Sequence, residues 1–303
     1  MSLIINENNL SGKLRYYMSH HQVEKADSTT SRTRVVFNAS MQTSSGLSLN
    51  HVLKVGPVVQ RDLFSILPRF RKHKFVLIGD LEKMYRQILV RPEDRGLQCI
   101  VWRDNPNSPM QHYTLNNITY GTASASFLAT RCLLEIARDK ESKHPLESEI
   151  IQNDFYVDDL LTGYNNIDQL IVIRKNFTNI FAEYGFRLRK FQSNSSSVLQ
   201  DLQDNIGNAD YTVSGETIKT LGITWNAQSD SFTYKAISSG KNKISVTKRV
   251  ILSYISKQFD PLGLLSHITI RSKLIMQRLR QAKIKWDKSL LTDLHTQWLN
   301  LFN

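Results

Sequence analysis

Apolar runs and polar breaks divide the chain into short elements. The stretch "RVVF" at 34–37 reads as a short β segment. "KFVLIGDL" at 74–81 is a β-rich, buried run that ends in a carboxylate, and "EKMYRQI" after it reads as a helical turn. "LQCIVWR" at 97–103 predicts a strand, and "DNPNSP" at 104–109 the loop behind it. From Thr122 to about Lys140, the residues Phe127, Leu128, Cys132, Leu133, Ile136 and Ala137 recur at helical spacing, with Thr122 or Ser124 as the cap. "FYVDDLLTG" at 155–163 predicts two short strands meeting at a tight turn. A second helix is expected over 168–184, with Leu170, Ile173, Phe177, Ile180, Phe181 and Tyr184 as its apolar stripe and Gly185 as its stop. Residues 193–210 are polar and loop-like. "KTLGITWNAQSDSFTYK" reads as a hairpin turning between Asn226 and Asp230. The tail from Val246 is helical, broken at "DPLGLL" (260–265). There is no internal repeat. Strands and helices are intermixed with hairpins, which predicts an α+β fold.

Composition narrows this picture. At 303 residues the chain is too long for one small core, so two or three subdomains are expected. A hydrophobic content of 41% excludes a disordered or fibrous protein. Lys plus Arg number 39 against 27 Asp plus Glu, a formal net charge of +12. That excess suits nucleic acid or an acidic membrane surface, and suits a merely soluble basic protein equally well. Cys99 and Cys132 have no paired spacing, so neither a disulfide framework nor a zinc module is expected, and a reducing compartment is. His20 and His21 are adjacent without cysteine partners and read as structural or solvent-facing. No signal peptide and no membrane-length apolar stretch stand out, so a soluble intracellular protein is expected.

The chemistry centres on Asp158 and Asp159, two neighbouring acids between apolar flanks. A third carboxylate, Asp80, ends the apolar run 74–81. If the two segments lie side by side, Asp80 and Asp158 can bridge a pair of Mg²⁺ ions of the kind that clamps the attacking and leaving oxygens of a phosphoryl transfer. Taken alone, the residues equally allow an exposed acidic turn.

The surrounding motifs carry a resemblance. "YVDD" at 156–159 resembles the signature hairpin of reverse transcriptases. "TRVVFNASMQTSSGLSLN", "VGPVVQRDLFSILPRFR", "DLEKMYRQILVRPEDRGLQCIVWRDNPN", "TYGTASASFLATRCL", "FYVDDLLTG", "LGITWN" and "FDPLGLLS" stand in the order and spacing of BEL/Pao-type LTR retrotransposon polyproteins. The resemblance runs from about Arg15 to the end of the chain. It implies a right-hand polymerase: residues 1–75 as N-terminal segment and fingers, 76–235 as palm with a fingers part inserted near 90–120, and 236–303 as partial thumb or connection. The implied activity is RNA-directed DNA synthesis from dNTPs on a primed RNA or DNA template. Two Mg²⁺ ions serve it, Mn²⁺ can substitute, no membrane is involved, and the setting is cytoplasmic particles.

Carried over by position, Asp80, Asp158 and Asp159 are the metal-binding triad, with Asp80 and Asp158 the main ligands. Tyr85 matches the aromatic gate against the ribose 2′-OH, where a ring under the sugar leaves no room for the hydroxyl. Its alternative is a packed core aromatic. Arg34 matches a fingers arginine on the incoming triphosphate, and Lys25 a second cation there. Either residue could instead be an ordinary surface charge. Gly121 matches the tight backbone position beside the nascent base pair, or is a helix-start glycine. Lys190 matches a lysine that protonates the leaving pyrophosphate, or is a solvated charge. "LGITWN" resembles the hairpin that holds the primer end, or is a strand with Trp225 in the core. Arg271, Lys273, Arg278, Arg280, Lys283, Lys285 and Lys288 would follow the duplex backbone, or form a solvated face.

The sequence departs from the family at two motif positions. Asn38 stands where Asp is usual, and Ser126 where Pro is usual. The chain carries no Asp-Ser/Thr-Gly protease motif and no integrase-like zinc set, and so reads as a fragment of the longer polyprotein. A truncated, inactive remnant that only binds nucleic acid or protein is the alternative function. A nuclease with clustered acids leaves "RVVFNAS" and the aromatic gate unexplained.

Overall fold

The computed structural model describes residues 2–3, 14–24, 33–203, 217–233 and 246–300. The strands are β1 (Ser2–Leu3), β2 (Ser19–Glu24), β3 (Thr33–Asn38), β4 (Phe75–Leu81), β5 (Cys99–Trp102), β6 (Gln111–Thr114), β7 (Phe155–Tyr156), β8 (Asp159–Tyr164), β9 (Leu188–Ser193), β10 (Thr217–Thr220), β11 (Ile223–Asn226) and β12 (Ser231–Thr233). The helices are α1 (Leu49–Val52), α2 (Leu63–Arg71), α3 (Met84–Gln87), α4 (Ala125–Lys140), α5 (Pro145–Asn153), α6 (Ile167–Glu183), α7 (Gln200–Gln203), α8 (Lys248–Lys257), α9 (Ser266–Gln281) and α10 (Thr292–Leu299). The class is α+β, as the interleaved pattern predicts.

The central sheet has the order β7-β8-β4-β9, antiparallel throughout. Its middle strand β4 is buried on both faces because alternate side chains serve two cores. Val76 and Ile78 join Ile66, Leu67 and Phe70 of α2 and Trp225 of β11. Leu77 and Leu81 join the buried faces of α4, α5 and α6, among them Leu133, Ile150, Phe177 and Phe181. Truncating one of these side chains to Ala removes transfer energy and leaves a cavity, a loss of about 2–5 kcal/mol.

Three smaller sheets stand around this one: β2 with β3, β1-β6-β5, and β10-β11-β12. Helices α8, α9 and α10 form a separate small core of Ile251, Ile275, Leu279, Leu294 and Trp298. Asp260 closes the break between α8 and α9 by accepting the amides of Leu264 (3.0 Å) and Leu265 (2.7 Å). No helix among the described residues is long and apolar enough to cross a membrane.

The structure corrects several expectations. The first long helix starts at Ala125, not Thr122. The Thr122 hydroxyl donates to Thr119 O (2.8 Å) inside the preceding turn, and Ser124 at the N-cap makes no side-chain cap bond. The start of the 97–103 segment is a tight 3₁₀ turn, so the strand is confined to β5. Within 193–210, residues 196–203 are helical, with Val198 and Leu199 buried against the main core. Helix α2 is absent from the sequence reading because Pro68 interrupts its pattern. Asp62 nucleates it by accepting the Ser65 amide (2.6 Å), and Ile66, Leu67 and Phe70 bury its inner face.

Candidate active site

The acid-bearing stretch folds as the two strands the sequence predicts. Tyr156 of β7 lies opposite Asp159 of β8, which leaves Val157 and Asp158 as a two-residue turn. Such turns need positive φ at a central position, and Val157 supplies it at φ 58°. A β-branched residue is poorly suited to that region, so the turn stands on outside support. The Val157 amide donates to Gln60 Oε1 (2.9 Å), and the Leu81 amide donates to Asp158 O (2.9 Å). β4 and β8 pair so that Asp80 lies directly opposite Asp159. Segments about eighty residues apart thus end in acid at one place.

The acids feel one another. Burial pushes the Asp158 carboxyl above its ordinary range, and the charge on Asp80 adds to this, against its own backbone amide and Lys190. Burial, then Asp158 and Asp80, raise Asp159 to about 7. Lys190 Nζ donates to Asp80 Oδ1 (3.1 Å). The β4–β9 register slips between Ile78 and Asp80, and Lys190 takes φ 54° opposite that slip.

Among the described residues, no three His, Cys, Asp or Glu side chains are already drawn together as a metal-holding group. The donor chemistry nonetheless fits a hard divalent cation. It consists of carboxylate oxygens alone, and one ammonium offsets only part of their charge.

A second group is built around Tyr85 and Tyr120. Tyr85, on α3, packs against the main core and meets Tyr120 edge-on at 5.8 Å between ring centroids. Its hydroxyl lies 3.3 Å from Ser126 Oγ. Arg86 Nε donates to the Tyr120 hydroxyl (2.9 Å). Gly121 follows at φ 97°, and a Cβ there would come within 2.4 Å of Phe37 O on β3. That position admits only glycine, on grounds of both conformation and space. Asn50 ties the same loop down: Nδ2 donates to Gly121 O (2.9 Å) and Ser40 Oγ (2.8 Å), and Oδ1 accepts the Ala123 amide (2.8 Å).

The structure therefore brings Asp80, Asp158, Asp159 and Lys190 into one group, and Tyr85 and Gly121 into a second through Tyr120. Arg34 is exposed on β3, opposite Val23. Lys25 lies outside the described residues. Asn38 Oδ1 accepts the Ser40 amide (3.1 Å), a turn bond that an aspartate would make equally well. Trp225 in "LGITWN" is fully buried against Phe70 and donates to Asp230 Oδ1 (3.0 Å). The turn before it, Leu221–Gly222, has both residues at positive φ, and a Cβ on Gly222 would strike the Phe259 ring at 2.7 Å. The tail cations Arg271, Lys273, Arg278 and Arg280 are exposed on α9, and Lys283, Lys285 and Lys288 are exposed after it. Sequence reasoning missed Gln60, Asn50, Arg86 and Tyr120. Only Tyr120, an aromatic next to Gly121, carried a local signal.

Comparison with known proteins adds the following. A family model described as reverse transcriptase (RNA-dependent DNA polymerase) matches residues 23–225. A second, described as Pao retrotransposon-like RNaseH-like domain, matches residues 247–303. No curated protein matches. Among solved structures, a foamy viral protease-reverse transcriptase in complex with an RNA/DNA hybrid aligns at TM-score 0.59 and 12% identity, over 94% of this chain and 33% of that one. A second foamy viral protease-reverse transcriptase, in complex with double-stranded DNA, aligns at 0.57 and 12%, over 94% and 43%. At this identity the likeness carries the fold, and the chain spans less than half the length of either.

Proposed function

The chain belongs to the reverse transcriptase (RNA-dependent DNA polymerase) family, as the reverse-transcriptase region of a BEL/Pao-type retrotransposon, and on that premise we propose that it extends a nucleic-acid primer with dNTPs on an RNA or DNA template. The observation that carries this reading is the register of Asp80 against Asp159, with Asp158 in the turn that leads into Asp159 and Lys190 on Asp80.

In this reading β4, β8 and β9 belong to the palm, β2 and β3 to the fingers, and α8 to α10 to a partial thumb or connection. Asp80 and Asp158 would hold two Mg²⁺ ions, with Asp159 a weaker ligand or a shaper of the site. Bound there, Mg²⁺, or Mn²⁺ in its stead, would make the primer 3′-hydroxyl more acidic and neutralise charge on the departing pyrophosphate. The chain's own side chains do the rest. Lys190 is assigned the proton transfer to the leaving pyrophosphate, and its bond to Asp80 supports that role. Arg34 reaches the triphosphate with a fixed fork of donors, and Lys25 is assigned a second contact there. Tyr85 blocks the ribose 2′-hydroxyl, and Gly121 leaves room for the nascent base pair. The exposed α9 cations follow the duplex backbone.

Primer extension on an RNA template tests the proposal. The parent chain is expected to extend the primer with Mg²⁺ or Mn²⁺. Asp158→Asn is expected to lower the rate by at least about a thousandfold, with an unchanged circular dichroism spectrum. Equal extension by the folded mutant overturns the assignment of the acids.

A further inference from the structure

We propose that Gln60 is a positioning residue for the acid-bearing turn, the central point of a clamp that the segment 60–69 places on residues 153–157; the inference rests on the polymerase reading of that turn. Three side-chain bonds join segments that are 85 to 97 residues apart in the chain. Arg69 Nε donates to Asp154 Oδ1 (2.7 Å), and Arg61 Nε donates to Asn153 Oδ1 (2.9 Å). Both of these bonds end on side chains at the root of the arm. The third is different: Gln60 Oε1 accepts the backbone amide of Val157 itself (2.9 Å).

Val157 is the residue that most needs holding. Its φ of 58° is disfavoured for a branched side chain, and the next residue is Asp158. Rotation of Val157 back to negative φ would swing the Asp158 carboxylate out of the group. Two bonds from separate segments oppose that rotation. The Leu81 amide of β4 holds Asp158 O, and Gln60 holds the Val157 amide. The first belongs to the backbone pairing of the sheet. The second depends on one side chain from a loop that contributes no acid. Such a residue acts on turnover through the placement of another group, where a displacement near 1 Å is costly.

Gln60 is half-buried, so substituting it leaves the main core intact. Gln60→Met keeps the length and removes the acceptor, whereas Gln60→Glu keeps an acceptor. By NMR-detected exchange, the Val157 amide should lose protection about tenfold in Gln60→Met and keep it in Gln60→Glu. In primer extension, Gln60→Met should lower kcat about tenfold while the dNTP KM stays within about twofold. In a Val157→Gly background, where φ 58° is unstrained, the same Met substitution should cost less than about threefold. Unchanged Val157 protection in Gln60→Met overturns the clamp, as does a loss carried wholly by KM or a full-sized loss in the glycine background. If the parent chain extends no primer, the polymerase reading falls, and the amide measurement alone decides whether Gln60 holds the turn.

Discussion

Asp154 and Asp159 belong to the two arms of one hairpin, and their surroundings are opposite in kind. Asp154 is 2% exposed, and both its oxygens are taken up by the protein. Oδ1 accepts from Arg69 Nε and Oδ2 from the Thr162 hydroxyl, each at 2.7 Å. Burial still lifts its pKa, but a guanidinium and a hydroxyl oppose the lift. Asp159 faces two like charges, Asp158 and Asp80, and the nearby ammonium of Lys190 is bonded to Asp80 instead. The first acid is neutralised by its own chain and ties β8 to α2. The second belongs to a group whose charge exceeds what the chain supplies. Burial alone would not tell them apart; the inventory of partners does.

Three substitutions test the difference between these two acids. Asp154→Ala has the largest expected effect. It leaves the Arg69 guanidinium without its buried partner and should lower unfolding free energy by about 3–5 kcal/mol in urea denaturation. A loss under about 1 kcal/mol would mean that Asp154 is no more structural than Asp159. Thr162→Val comes next, because it strips one oxygen of its donor while filling the same space. It should cost about 1–2 kcal/mol, with primer extension changed little at a temperature where the protein stays folded.

Asp159→Asn should act in the opposite direction. The folded carboxyl titrates at about 7, against the ordinary 3.8 of an unfolded aspartate. Between those values the folded state binds more protons, so metal-free stability falls as pH rises from about 4 to about 7. The asparagine variant escapes that fall. Its advantage should be near zero at pH 4 and reach about 1–2 kcal/mol by pH 8, the full linkage value of about 4 kcal/mol being screened by solvent at the site. Saturating Mg²⁺ should raise the melting temperature of the parent more than that of the variant. An advantage that is constant with pH would rule out titration as its source.

Much of the fold was legible in local pattern. The α6 stripe of Leu170, Ile173, Phe177, Ile180 and Phe181 is buried as its spacing predicts, and the run 74–81 is the central strand. The elements that escaped carry mixed or interrupted signals. β9 ("LRKFQS") alternates with charges, because Arg189 serves Glu82 and Lys190 serves Asp80 at 2.5 and 3.1 Å. In α2 a proline breaks the pattern, yet Ile66, Leu67 and Phe70, buried with Val76, Ile78 and Trp225, hold the helix in place. The site divides in the same way. Asp80, Asp158, Asp159, Tyr85 and Gly121 sit in motifs that can be read as strings. Gln60, Asn50 and Arg86 act through side-chain hydrogen bonds to distant segments, and nothing next to them in the chain marks that role.

Charge, the strongly periodic buried segments such as 74–81 and α6, and the family to which the motif order belongs are all written in the string of residues. Each of these follows from local chemistry and spacing. Which acids meet, and which find a partner, follows from long-range pairing. The pairing of β4 with β8 sets Asp80 against Asp159, and Arg69 arrives at Asp154 from 85 residues away. A carboxylate's pKa and role depend on the charges and donors within a few ångströms of it. For a chain folded through long-range pairings, those neighbours are fixed only when the sheet closes.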